Sequence, residues 1–290
     1  MKCTHCNGEH PDGYKFCPVT GKEIVQSLKA CTNVECADFD KHILPAEASF
    51  CPRCGQKLDV ENLTQESGES IFKVNGVEFE MIFVEGGPFR MGSEDGIDAP
   101  DHNVTLSSYY IGKHEVTQEL WETVMRSNSS SFKGSQKPVE NVSWNDCQEF
   151  IRKLNDLTGK NFKLPTEAQW EYAARGGKKS KEYKYSGSNT IGNIAWYDDN
   201  SGNRTHDVGT KSPNELGIYD MNGNVWEWCS DWYGNYSCIP QTNPTGPSSG
   251  SMRVLRGGSW KVLGCLFRVS MRANSNPDYC ENGIGFRLCL

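Results

Sequence analysis

Cysteine spacing is the first chemistry this chain offers. Cys31 and Cys36 form a C-x4-C pair and Cys51 and Cys54 a C-x2-C pair. Thiolates so arranged are the set that zinc takes tetrahedrally, and a segment this short buries too little apolar surface to fold without the ion. A redox dithiol is the alternative. Upstream, Cys3 and Cys6 repeat the C-x2-C knuckle and Cys17 begins another, but Thr20 stands where its second cysteine belongs. Neutral imidazole is a good zinc ligand, so His10 is the predicted fourth member of that set, with His5, inside the first knuckle, the weaker choice. A closed tetrahedral site leaves no position for a reacting water, so one or two zinc ions here read as structural.

The second constellation runs from Gly217 to Trp228, Gly-Ile-Tyr-Asp-Met-Asn-Gly-Asn-Val-Trp-Glu-Trp. Asn222-Gly223-Asn224 tolerates positive φ and marks a reversal. Asp220 and Glu227 flank it, and a hard cation such as calcium wants carboxylate and carbonyl oxygens that an irregular loop can aim inward. The stretch therefore reads as a packed, metal-ready loop. The alternative is that the acids accept hydrogen bonds from loop amides while Trp226 and Trp228 fill a core.

Composition limits the partners. The net charge of −7 over 290 residues, with scattered Lys and Arg, provides no basic stripe for a nucleic-acid backbone. No apolar run is long enough to span a bilayer, and the first residues lack the apolar core of a signal peptide, so the expected location is the cytoplasm. Seven of the 13 cysteines precede Leu58 at metal-ligand spacing, which fits a reducing compartment better than a disulfide framework. The 29 glycines among many aromatics point to a loop-rich fold.

Other elements must position these residues. Residues 1–27 and 28–58 read as two ribbon modules, 59–73 as an acidic linker, and 74–290 as the main domain. Phe79 to Val84 and Phe89 to Ser93 predict strands around Gly86-Gly87, and Val104 to Leu106 with Tyr109 to Gly112 another short one. Thr117 caps a helix carrying Leu120, Trp121 and Val124. Ser143 with Asp146 opens a second, with Cys147, Phe150, Ile151 and Leu154 on its apolar face and Gly159 as its stop. Thr166 and Gln169 form the capping box of a third, which ends near Gly176-Gly177. From Tyr183 to Asn214 periodicity disappears. Arg253 to Trp260 and Ile284 to Leu288 are strand-like.

Taken together, Phe89-x-Met-Gly-Ser, His114-Glu-Val-Thr, Val142-Ser-Trp, Leu164-Pro-Thr-Glu-Ala-Gln-Trp-Glu, Gly223-Asn-Val-Trp-Glu-Trp, Arg256-Gly-Gly-Ser-Trp and Gly285-Phe-Arg resemble the formylglycine-generating enzyme family, or sulfatase-modifying factors. The resemblance covers residues 74–290. It implies an α+β fold of the C-type-lectin-like kind, rich in irregular loops. It also implies one structural calcium on Asp220, the carbonyls of Gly223 and Val225, and Glu227. A second family site would begin at Asn193 and Ile194, but its acidic partner is not evident between Ser201 and Asp207.

Catalytic members of that family bind copper(I) through two cysteines, three and eight residues after the serine of Gly-Gly-Ser, and oxidise a substrate cysteine to formylglycine. Val262 and Phe267 hold those positions here. Soft thiolates select copper(I), and Cys265 is a lone thiol at a different place, so no copper is expected. A related branch holds iron in a histidine cluster, whereas this domain has only His102, His114 and His206.

A scaffold without the metal thiols reads as a binding module. Between the anchors Gly257-Gly-Ser-Trp260, Arg268, Arg272 and Gly285-Phe-Arg287 lie aperiodic mixtures of apolar, aromatic and amide residues. Lys261, Val262, Leu263, Cys265, Leu266, Phe267, Asn274, Asn276, Asp278, Tyr279 and Asn282 are the candidate contacts with a protein or other macromolecular ligand. This layout is similar to the variable proteins of diversity-generating retroelements, whose lectin-type domain ends the chain with randomised positions set among scaffold residues. The alternatives are a copper oxidase, or an adaptor whose zinc ribbons dock to a partner protein.

Overall fold

The computed structural model describes residues 28–29, 44–45, 69–94, 98 and 100–290. Met1–Glu66 and Ser67–Leu290 are separate compact units. In the first, β1 (Leu28–Lys29) pairs antiparallel with β2 (Leu44–Pro45). The proposed zinc ligands Cys3, Cys6, His10, Cys17, Cys31, Cys36, Cys51 and Cys54 all lie outside the described residues.

The second unit opens with β3 (Glu69–Val74), which pairs along its whole length with β4 (Val77–Val84). Residues 69–73 are therefore a strand rather than linker. Phe72 and Val74 turn inward while Ile71 and Lys73 are exposed, a period of two that the adjacent apolar Ile71-Phe72 and the acidic run before it obscure in the sequence. β4 also pairs with β7 (Tyr109–Gly112). β5 (Pro88–Met91), β6 (His102–Thr105) and β9 (Gln241–Thr242) form another sheet. The strands on either side of Gly86-Gly87 thus belong to different sheets. A Cβ on Gly86 would lie 2.3 Å from the Leu106 carbonyl, so only glycine lets the chain cross there.

The three helices follow their caps. In α1 (Gln118–Met125) the Thr117 side chain accepts from Leu120 N, and Leu120, Trp121 and Val124 are buried. α2 (Trp144–Thr158) starts at the reciprocal Ser143–Asp146 box and stops at Gly159, φ 65°. α3 (Glu167–Ala174) starts at the Thr166–Gln169 box.

The Gly217 to Trp228 stretch departs from expectation. Its second part enters β8 (Trp226–Trp232), which lies inside the sheet β11-β10-β8-β12. β10 (Arg253–Arg256) and β11 (Arg272–Ser275) pair antiparallel on one side, and β12 (Ile284–Gly285) runs parallel on the other. Strand side chains alternate between faces, so Trp-Glu-Trp-Cys-Ser-Asp-Trp is divided by residue type. Trp226 and Trp228 pack with α1, α2 and Phe286. Cys229 faces the second core with Trp170, Met221 and Val254. The acids Glu227 and Asp231 share that second face.

Candidate recognition surface and its buried charge frame

β10 ends at Arg256, and Gly257 and Gly258 follow at φ 94° and 79°, a region that disfavours other residues. A Cβ on Gly258 would sit 2.4 Å from Phe267 Cε1, so the phenyl ring fills the space glycine leaves. After Ser259 the chain makes a single 3-10 turn at Gly264–Leu266 and returns through Phe267. Asp198 N donates to the Val262 carbonyl at 3.2 Å, and Gly264 lies against Tyr197, so residues 262–267 rest on the 194–200 loop.

This arrangement divides the predicted ligand contacts. Leu263 (53% exposed), Leu266 (49%) and Tyr279 (47%) present large apolar surfaces to solvent, with Lys261 and Cys265 also exposed. Lys261 Nζ contacts Glu281 Oε2 at 2.7 Å, and the Tyr279 hydroxyl donates to the same oxygen at 3.2 Å, which joins the two intervals into one face. The Glu281 charge raises the Tyr279 phenol pKa. Glu281 itself was missed. Only its charge, opposite to that of Lys261, could have singled it out.

Phe267 must be removed from the surface. It is 1% exposed and packs with Tyr185, Ile194 and Ala195. Val262 is half-buried against the same group. Asn282 is half-buried, and its carbonyl accepts from Trp260 Nε1 at 2.9 Å, a structural duty. Asn274, Asn276 and Asp278 are exposed. Asn274 lies on edge strand β11, Asn276 accepts from Asp278 N, and Asp278 accepts from Asn145 at the start of α2.

The frame around this face is held by ion pairs whose carboxylates are buried. Arg268 makes a two-pronged contact with Asp98, and Arg272 another with Glu167. Arg256 contacts Glu171, both fully buried. Arg287 Nε and Nη2 each donate to Glu227 at 2.6 Å, and its remaining donors reach the Gly112 and Tyr219 carbonyls. Such bidentate pairs fix direction as well as charge.

Glu227 also accepts from Trp170 Nε1 at 2.7 Å. Its carboxylate thus holds a guanidinium and an indole, and a calcium ion on it would sit beside the Arg287 charge. Both Glu227 oxygens are engaged by side chains. Asp220 is different: Oδ2 accepts from Gly209 N at 2.7 Å, while buried Oδ1 has no hydrogen-bond partner. Burial pushes the Asp220 carboxyl up to about 6. Glu115, which accepts from Asn224 Nδ2 and Val225 N, is raised well above the usual range by burial and by Asp220 and Glu227. Protons on these two acids would relieve the repulsion among Glu115, Asp220 and Glu227. Among the described residues no group of three or more His, Cys, Asp or Glu is arranged to hold one. Of the four expected calcium ligands Asp220, Gly223, Val225 and Glu227, Asp220 supplies the carboxylate oxygen without a hydrogen-bond partner.

Mixed helix and sheet with few helices, many loops and a charge-pinned C-terminal frame define a lectin-type scaffold of a particular kind. The chain belongs to the sulfatase-modifying factor enzyme 1-like domain family, whose model matches residues 72–290. It is 37% identical over 260 residues to chaperone protein LppX of Paenibacillus barcinonensis, covering 72% of this chain and 87% of that one. To the formylglycine-generating enzyme of Mus musculus it is 34% identical over 282 residues, covering 72% and 74% respectively. Among solved structures, Treponema denticola variable protein 1 matches with a TM-score of 0.73 at 36% identity, over 76% of this chain and 98% of that one. Longer relatives are covered only in part; the chain spans 38% of the serine/threonine-protein kinase Pkn1 of Chlamydia trachomatis. Among the described residues no helix is long and apolar enough to cross a membrane.

Proposed function

We propose that the domain is a non-catalytic recognition module that binds a macromolecular ligand through Lys261, Leu263, Cys265, Leu266 and Tyr279, in the manner of a retroelement-diversified variable protein. The observation that carries this reading is the exposure of Leu263, Leu266 and Tyr279 on a frame whose anchors are all engaged beneath them. Exposed apolar and aromatic side chains on rigid supports are what adaptable paratopes use. Copper chemistry is disfavoured because Val262 and Phe267, where the family's thiolates would stand, have no soft donor, and Phe267 is core.

A photo-crosslinking residue placed in vivo at Leu263, Leu266 or Tyr279, with exposed Leu157 on α2 as control, tests the surface. The expected result is one shared crosslinked species at the three test positions and none at Leu157. Equal labelling at all four, or none, overturns the reading. Diversification is tested separately. A near copy of the DNA for residues 261–282 beside the gene, differing only where the copy has adenine, supports it, and absence of such a copy removes that part. Truncation of residues 1–58 distinguishes an adaptor: the 263/266/279 crosslink should survive it.

A further inference from the structure

A separate cavity of about 460 Å³ lies beneath the loop that joins β8 to β10. Its floor is formed by Glu167 and Ala168 at the start of α3 and by Asp231 and Trp232 at the end of β8. Met91, Tyr236, Pro244 and Pro247 give it apolar walls. The volume is in the range that holds a small organic molecule.

The charged groups around it are unequally satisfied. Glu167 receives Arg272 Nε at 2.8 Å and Nη2 at 2.6 Å, and the Tyr236 hydroxyl at 2.9 Å. Arg272 is in turn held between the Tyr233 and Tyr236 rings, 4.4 and 4.0 Å from their centres. That pair is complete. Asp231, 3% exposed, is not. Its hydrogen bonds, from Glu167 N at 3.0 Å and Ser230 Oγ at 2.9 Å, both go to Oδ2. Oδ1 lies 3.2 Å from where a Cβ on Gly246 would stand, and Gly246 lines the same cavity. Arg253 is held between Trp144 and Trp232 at 3.9 and 3.4 Å, donates to the Ser230 carbonyl, and does not line the space. An acceptor on a buried residue that lines a cavity, with no donor on one of its oxygens, offers that oxygen to a ligand's donor.

We propose that this cavity binds a small organic ammonium compound, its amine donating to Asp231 Oδ1 and its hydrocarbon or aromatic body lying against Met91, Trp232 and Pro247. The idea is independent of the surface at residues 261–279. Burial and the Glu167 charge push the Asp231 carboxyl up to about 7, partly countered by Arg272. The other titratable groups near it are Arg253, Cys229, His102 and Tyr236. A bound ammonium favours the carboxylate, so affinity should rise between about pH 6 and pH 8.

The test is calorimetric titration of the full chain with phenethylamine and with its neutral analogue phenethyl alcohol. The amine is expected to bind with Kd on the order of 1 mM or tighter, and the alcohol at least about tenfold more weakly. Asp231→Asn keeps an oxygen for Glu167 N and Ser230 but turns an amide NH2 toward the cavity, so it should lose at least about tenfold for the amine. Thr245→Trp, at an exposed position of the rim, should block the cavity and abolish binding even if the Asn variant fails to fold. Equal binding of amine and alcohol, undiminished binding in either variant, or no saturable heat with phenethylamine in the millimolar range overturns the proposal.

Discussion

Replacing Phe267 by Ala separates a ligand contact from a structural plug. The ring is 1% exposed, packs with Tyr185, Ile194 and Ala195, stands edge-on to Tyr197 at 6.2 Å and occupies the space above Gly258. Truncating a buried Phe costs about 3–5 kcal/mol, from lost transfer energy plus the cavity left behind. The ring sits in a loop layer whose neighbours can partly collapse, so the lower half, about 3 kcal/mol, is expected. For a unit of this size about 3 kcal/mol should lower the melting temperature by about 6–12 °C. Leu266→Ala, one residue away and 49% exposed, should change stability by less than about 0.5 kcal/mol. Urea unfolding followed by near-ultraviolet circular dichroism, fitted with a shared m-value, measures both. A cost below about 1 kcal/mol for Phe267→Ala, or equal costs for the two variants, would refute the placement of the ring in the frame.

Other outcomes follow from the buried charges. Arg287→Met leaves Glu227 with only the Trp170 indole, and should destabilise by about 3–5 kcal/mol in the same assay. Asp231 has a folded pKa of about 7, above its ordinary value, so the stability from its neutral form is present at low pH and lost as pH rises through 7. Asp231→Asn should therefore gain on the native protein between pH 4 and pH 8, by up to about 4 kcal/mol, in melts across that range. His114 runs the other way: burial, then Arg287 and Lys113, lower it to about 4. Its contribution is present above the ordinary histidine pKa and lost as pH falls toward 4, so His114→Asn should remove up to about 3 kcal/mol of acid sensitivity. In the N-terminal unit, elemental analysis should find about one to two zinc ions per chain and lose one with Cys51→Ser.

Much of the scaffold was legible because its signals are local. Thr117, Ser143 and Thr166 each sit at a helix start, and the Ser143–Asp146 and Thr166–Gln169 boxes are closed over three residues. β8 was not legible, since Trp-Glu-Trp-Cys-Ser-Asp-Trp follows a turn-forming Asn-Gly-Asn and its acids suggested a cation. Alternation of indoles and acids is the strand signal that this context masked. The partners of those acids are distant in the chain: Glu227 and Arg287 are 60 positions apart and Glu167 and Arg272 are 105. No local pattern announces such a pair. The proposed recognition face was half legible, because aperiodicity marks a loop but does not tell Phe267, turned inward, from Leu266, turned outward.

The division of labour along β8 bears on which length changes the domain can absorb. One extra residue between Trp226 and Trp232 would reverse the faces beyond it, sending an acid toward α1 and α2 and an indole toward the arginines. One extra residue between Lys261 and Leu266 enters a solvent-facing turn, where lengthening costs only a fraction of a kcal/mol in loop entropy. Insertions and deletions should thus accumulate in the turn of residues 261–266 and be purged from the strand, so the same chain can vary in outline at one place while its register stays invariant at another.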